Sequence, residues 1–385
     1  MDSQPTTAAG ADSQLLDKDE EAWLTNGIVP IANAYGYVHG YLSTLICCLG
    51  ILANFATIAV LTRPAMRTSV NIILAGIAAC HAVTMFTYFI FTLRGMLMND
   101  CNYHIYSTYM WQAVVVTHAD LSVILQSISL WLTVGLAVVR YLVLRRPRAA
   151  AVANTARTGL LTIAVTSVAV CGLCFLNFLR NSIYERPFYL PDRCTAQAGD
   201  KNSTTYEIDP PTWWTPELDA INFWIVGIMM KVLPCILLTI FIALLIHILI
   251  DTKRRQVRLA KTTNVATSDR TTALLLLIVF VFWLTQLPQG IVIIANAFDQ
   301  VIFRAYLILG DFWDLLSLIN SCISFPAYCI MSQMFRTEFM IVFGMRRCLD
   351  KGRRPQNRYY AKRDGCSTLL PANTNATTEC NSHEF

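Results

Sequence analysis

Four ionisable side chains stand inside stretches that are otherwise uncharged and apolar: Asp120, Lys231, Asp311 and Asp314. A charge in such a setting needs a partner, so each is a candidate for binding. Asp311 and Asp314 are three apart and share a face if their segment is helical. Acids grouped this way suit a guanidinium, held by charge-assisted hydrogen bonds. The alternative is a tie between helices, for example Lys231 paired with an aspartate. Catalysis has little to build on. There is no nucleotide-binding loop, metal-ligand spacing or catalytic triad, and His39, His81, His104, His118, His247 and His383 are scattered. An enzyme, a bound metal and a cofactor are therefore not expected.

The elements that must position these residues are apolar rods. From Leu121 to Val139 there are 19 residues without a charge, closed by Asp120 and Arg140. At 1.5 Å rise per residue, that is about one bilayer core. Ser122, Gln126, Ser127, Ser129 and Thr133 dot its interior, so the helix should be surrounded by other helices rather than by lipid. Gaps between charges give six more spans, Val38 to Thr62, Thr68 to Leu93, Thr158 to Leu179, Ala220 to Ile250, Thr271 to Phe298 and Ala305 to Met331. The chain is 55% hydrophobic and 14% charged, against roughly 25% charged in soluble domains. The expected fold is an all-α membrane protein, a seven-transmembrane helix bundle with a short amphipathic eighth helix, because backbone polar groups in lipid must be satisfied within each helix. The organisation is an acidic tail over 1–37 with no apolar signal segment, a bundle over 38–343 and a polar tail over 344–385.

Charge asymmetry sets the expected orientation. With the N-terminus outside, the three inner loops hold thirteen Lys/Arg and the tail from Arg336 nine more, against seven on the outer side. The net charge of +5 is thus the sum of a basic inner face and an acidic outer one, and does not describe a nucleic-acid binder. Acids in or beside the outer loops, Glu207 and Asp209 among them, favour a cationic ligand, although ordinary loop solvation explains them equally. On this topology only Cys101 and Cys194 of the 13 cysteines face the oxidising side, which suggests one disulfide. Asn202-Ser203-Thr204 is a glycosylation sequon on that side, and Asn375-Ala376-Thr377 is not. Cys348 is a palmitoylation candidate.

In chain order the spans carry Asn54, Arg140-Tyr141, Pro234, Pro288 and Asn320 through Tyr328, followed by Phe335-Arg336. In this order the chain resembles a rhodopsin-like (class A) G-protein-coupled receptor over about residues 38–343. SLWLTVGLAVVRY at 129–141, TQLPQG at 285–290 and LINSCISFPAYC at 318–329 further resemble invertebrate neuropeptide receptors of the myosuppressin/FMRFamide type. The resemblance implies a plasma-membrane receptor for a cationic peptide ending in Arg-Phe-amide. It implies signalling through a heterotrimeric G protein met by Arg140, Tyr141 and Tyr328, with arrestin, a receptor kinase and membrane lipid as further partners. Asp120, Asp311 and Asp314 would then take the arginine, Gln126, Gln286 and Gln289 the terminal amide, and Trp313, Trp224 and Phe223 the phenyl ring. A chemosensory receptor for a small molecule uses the same fold. A transporter would want inverted repeats, which the chain lacks.

The departures from the family pattern carry expectations of their own. Val139 stands where the family has an acid before Arg140, which removes a local ion pair that Asp269 could replace. His81 stands at the second-helix Asp, so no sodium site is expected there. His81 is expected instead to bridge Asn54, Ser129, Ser321 and Ser324. Gln286 matches the sixth-helix Trp, and Ser324-Phe325 the seventh-helix Asn-Pro. Val115 matches the third-helix Cys, so a Cys101–Cys194 bond must leave from the loop before that helix.

Overall fold

The computed structural model describes residues 22–98, 106–145, 155–189, 202–258, 280–281, 283–295 and 300–344. Helix α1 runs Val29–Leu61 and continues a π-helical turn, Leu24–Ile28. It begins earlier than the charge pattern implied, because Pro30 falls in the first turn of the α-helical part, where a proline removes no helical hydrogen bond. Helix α2 spans Ser69–Leu97, α3 Tyr109–Arg145 and α4 Ala156–Leu173, extended past a break at Cys174 by Phe175–Arg180. A two-stranded antiparallel hairpin follows, β1 (Ser182–Tyr189) and β2 (Asn202–Asp209), pairing Ser182 with Asp209 and Tyr189 with Asn202.

Helix α5 runs Pro216–Trp224, passes through a π segment at Ile225–Val232, and resumes over Leu233–Arg258. Pro234 has no N–H for the carbonyl of residue 230, and the helix is widened just upstream of it. The Trp131 indole of α3 donates to one carbonyl in that segment, Met229 O, at 3.2 Å. Helix α6 is described over Trp283–Ala295. Helix α7 comes in three pieces, Gln300–Ile308, Gly310–Cys322 and Ser324–Met331. Helix α8, Gln333–Val342, leaves it at 98°. Arg336 of α8 donates to the carbonyls of Cys329 and Ile330, satisfying the orphan acceptors where α7 ends.

Threonine and serine caps start several helices. Thr68, Thr155, Thr215 and Ser332 each accept from the backbone N–H three residues on. Among the described residues, five helices are long and apolar enough to cross a bilayer, namely Leu24–Leu61, α2, α3, α4 and Pro216–Asp251. The helices α1 to α7 make the expected helical membrane bundle.

Helix α3 lies at the centre, packed by α2, α4, α5 and the hairpin. Its Leu130, Leu132, Leu136 and Val139 belong to one buried apolar cluster with Ile73 and Ile77 of α2, Leu238 and Ile242 of α5, and Tyr328 of α7. Phe335 of α8 is fully buried in the same cluster. Close approach is set by small residues. A methyl group on Gly290 of α6 would meet the Lys231 Cβ at 3.0 Å, and one on Gly227 of α5 would meet Ile294 at 2.9 Å. The stem of Lys231 therefore lies directly on the α6 backbone.

Candidate functional site

At the hairpin end of the bundle, α2, α3, α5, α6 and α7 enclose a cavity of about 170 Å³. Its polar wall is made by Tyr88, His118, Gln126, Lys231, Gln289 and Asp314. Thr84, Ser122, Ser317 and Ser321 add hydroxyls, and Val123, Val226, Ile293 and Leu318 supply the apolar part, so the lining is mostly polar.

Lys231 comes from the π segment of α5 and is 8% exposed. Its ammonium donates to Gln286 Oε1 at 3.0 Å and to Gln289 Oε1 at 2.8 Å. The two glutamines sit three apart on α6 and present their carbonyls together. Asp314 stands on the opposite wall and accepts from the Tyr88 hydroxyl at 3.0 Å. Lys231 and Asp314 are close enough to feel each other's charge, yet they make no direct ion pair. The alternative reading, a tie of Lys231 to an aspartate, is not what forms; the ammonium is tied to two amides.

Behind Asp314 a polar chain runs outward along α1. The His39 ring contacts the Tyr88 hydroxyl through Nε2 at 2.8 Å and the Tyr35 hydroxyl through Nδ1 at 2.9 Å. Asp311 is exposed, with its carboxylate 3.7 Å from His39 Nε2. Asp311 and Asp314 therefore do share one helix and one neighbourhood, although only Asp314 lines the cavity. Trp313 is buried and stacks on Tyr306, a cavity residue, with ring centroids 6.1 Å apart.

Asp120 is placed differently. It is 5% exposed and accepts from Asn177 Nδ2 at 3.0 Å and Asn181 Nδ2 at 3.2 Å, at the α4 end of the bundle. It is not among the cavity-lining residues, and its hydrogen bonds join α3 to Asn177 and Asn181 at the end of α4. Gln126 and Gln289 line the cavity, while Gln286 is reached through Lys231. Phe223 packs under the Arg180 guanidinium, 5.7 Å from ring centroid to charge, and with Trp224 lies off the cavity wall.

The hairpin is fastened to α3 by its backbone. Tyr206 N–H donates to Ser107 O at 2.8 Å, and Gln112 Nε2 donates to Tyr206 O at 2.6 Å. Arg186 of β1 bridges across to Asp209 and Glu207 of β2. Nothing in the sequence signalled Gln112, because an amide one turn into a helix has no distinctive pattern. Cys101, Cys194, Asp269 and Cys348 lie outside the described residues. Asn202 opens β2.

At the other end of the bundle Arg140 is half-buried, its Nε without a hydrogen-bond partner among the described residues, and Tyr328 lies within electrostatic reach. Tyr141 is bonded to Arg145 on its own helix and packs against Phe241 of α5. His81 is 3% exposed and neither ring nitrogen has a hydrogen-bond partner among the described residues. Its expected bridge is absent. Asn54 donates instead to the carbonyls of Gly50 (2.9 Å) and Ser321 (3.1 Å), Ser129 to Gln126 O and Ser321 to Ser317 O. Backbone carbonyls one turn back on a helix outcompete a distant imidazole for hydroxyl protons.

Residues 41–346 match the model of the family described as serpentine type 7TM GPCR chemoreceptor Srw. The chain is similar to the G-protein coupled receptor dmsr-1 of Caenorhabditis elegans, 34% identical over 88% of this chain and 76% of that one. It is similar to the FMRFamide receptor of Drosophila melanogaster at 25% identity over 81% of this chain, spanning 54% of that receptor. It is also similar to the Drosophila melanogaster sex peptide receptor at 24%, over 80% of this chain and 72% of that one. A seven-helix bundle with a polar cavity between its helices, matched over this length, is a receptor and not an enzyme, and the chain belongs to the serpentine 7TM G-protein-coupled receptors of the Srw family.

Proposed function

We propose that the receptor is activated by an amidated, cationic neuropeptide of the Arg-Phe-amide type, bound in the cavity between Lys231 and Asp314. The observation that carries this is Asp314, an acid on the cavity wall with Tyr88 as its hydrogen-bond donor and no cation paired to it among the described residues. A guanidinium delivered there completes its hydrogen bonding. The similarity to a protein named for FMRFamide supports the same ligand class. Asp311 lies at the mouth, Gln126 and Gln289 on the wall, and Trp313 orders Tyr306 beside them. The N-terminus faces the outside of the plasma membrane, where Asn202 is glycosylated and Cys101–Cys194 holds the hairpin. Arg140 and Tyr328 meet the G protein at the inner face with Tyr141 beside them, and Cys348 carries the palmitoyl anchor. Arrestin and a receptor kinase act on the tail.

The family's description as chemoreceptors and the cavity's modest volume favour a second reading, a small cationic ligand at the same site. Screening amidated peptides against small amines in transfected cells, with calcium and cyclic-AMP readouts, separates the two. Activation by Phe-Met-Arg-Phe-amide, lost in Asp314→Asn, is the expected result. Activation by amines alone overturns the peptide reading.

A further inference from the structure

Lys231 and Asp314 line one cavity as opposite charges, and each is hydrogen-bonded to neutral neighbours and not to the other. In a low-dielectric interior such charges attract strongly, and side chains as long as lysine close the gap where the packing allows it. Here the ammonium is turned to α6 instead. The lysine stem lies against Gly290, and the two glutamine carbonyls draw the ammonium toward α6. An ammonium has three N–H donors, and Gln286 and Gln289 account for two. One donor remains, on a buried cation that lines the cavity.

We propose that Lys231 forms a second subsite, for a hydrogen-bond-accepting oxygen, so that the cavity recognises a ligand carrying a cation and a carbonyl together. Asp314 holds the cation, and the third N–H of Lys231 holds the oxygen. The glutamines are positioning residues, because their oxygens are spent on orienting the ammonium. An arginine neighbouring a terminal carboxamide meets both demands, which deepens the peptide reading and rests on the cavity being the ligand site. It also reassigns the amide contact. The ligand's carbonyl oxygen is what the site reads, through a lysine, and not its NH₂ through a glutamine.

The test uses purified full-length receptor in detergent and two small probes. L-Argininamide carries a guanidinium and a carboxamide, whereas agmatine keeps the guanidinium and the amine and lacks the carbonyl. The proposal expects argininamide to raise the melting temperature at about tenfold lower concentration than agmatine, the worth of one hydrogen bond to a charged group. In Lys231→Met the two probes become equivalent, and in Asp314→Asn neither shifts the melting. Gln286→Leu reduces the preference without abolishing the response to agmatine. Equal shifts by both probes in the wild type overturn the proposal, as does a preference that survives Lys231→Met, or no shift by either. Should Lys231→Met fail to fold, Lys231→Arg supplies the check, since it keeps a donor and must keep a preference for argininamide. Failure of Phe-Met-Arg-Phe-amide to activate cells, with the probe preference intact, overturns the peptide reading alone.

Discussion

The Tyr88 hydroxyl donates to Asp314 Oδ2 at 3.0 Å while lying 2.8 Å from His39 Nε2. A phenol has one proton, so with that proton given to Asp314 the oxygen accepts from His39 Nε2–H. His39 Nδ1 is then an acceptor and takes the Tyr35 proton at 2.9 Å. The tautomer follows from the neighbours, and three helices, α1, α2 and α7, are joined by one directed chain that ends on the cavity's acid.

Tyr88→Phe breaks that chain at its middle. It leaves a carboxylate and an imidazole N–H without their partner, at a cost of about 1.5–3 kcal/mol. The expected outcome is a lower melting temperature of the purified receptor and reduced surface expression. An unchanged melting curve would show that the carboxylate is satisfied elsewhere.

Asp314 and Asp120 should separate in function. Asp314→Asn removes a desolvated charge partner of the ligand and should cost about 2–5 kcal/mol in agonist potency. Asp120→Asn should leave potency within about threefold, because an asparagine oxygen still accepts from Asn177 and Asn181, and neutral hydrogen bonds differ little in net worth. Dose–response curves at matched surface expression decide the point. Equal losses at positions 120 and 314 would return Asp120 to the ligand.

Val139→Asp should quiet the receptor. Val139 is buried beside Arg140, whose Nε has no partner among the described residues. An acid there supplies the ion pair that the resemblance implies for the resting state, worth at most about 1 kcal/mol. Ligand-independent second-messenger production should fall about two- to fivefold, as that energy allows.

His81→Leu should be tolerated. A buried imidazole with no partner for either nitrogen among the described residues gains little from its polarity, so an apolar replacement of similar size should change stability by less than about 1 kcal/mol. Thermal melting checks this, and a loss several times larger would show that the ring is hydrogen-bonded.

Gln112→Ala should loosen the hairpin without unfolding the bundle. The Gln112 amide holds the Tyr206 carbonyl at 2.6 Å, and Tyr206 N–H keeps its bond to Ser107. Hydrogen exchange over residues 204–209 should speed up, with α3 unchanged. Equal protection in both proteins would mean that the strand pairing alone holds β2.

Much of the architecture was written in the chain itself. Charge gaps located the rods, because a lipid-facing helix tolerates no unpaired charge, and Asp120, Lys231, Asp311 and Asp314 stood out for the same reason. What each rod faces was not legible. A bilayer helix is apolar all round, so its sequence carries no strong amphipathic signal to say which side meets a neighbour. Asp120 therefore read like Asp314, although one is tied to α4 asparagines and the other lines the cavity. The π segment at Ile225–Val232 also shifts the phase of the helix, so a 3.6-residue count from Trp224 misplaces Lys231. Only packing against Gly290 and the carbonyls of Gln286 and Gln289 decides where that lysine points, because those contacts join residues more than fifty positions apart.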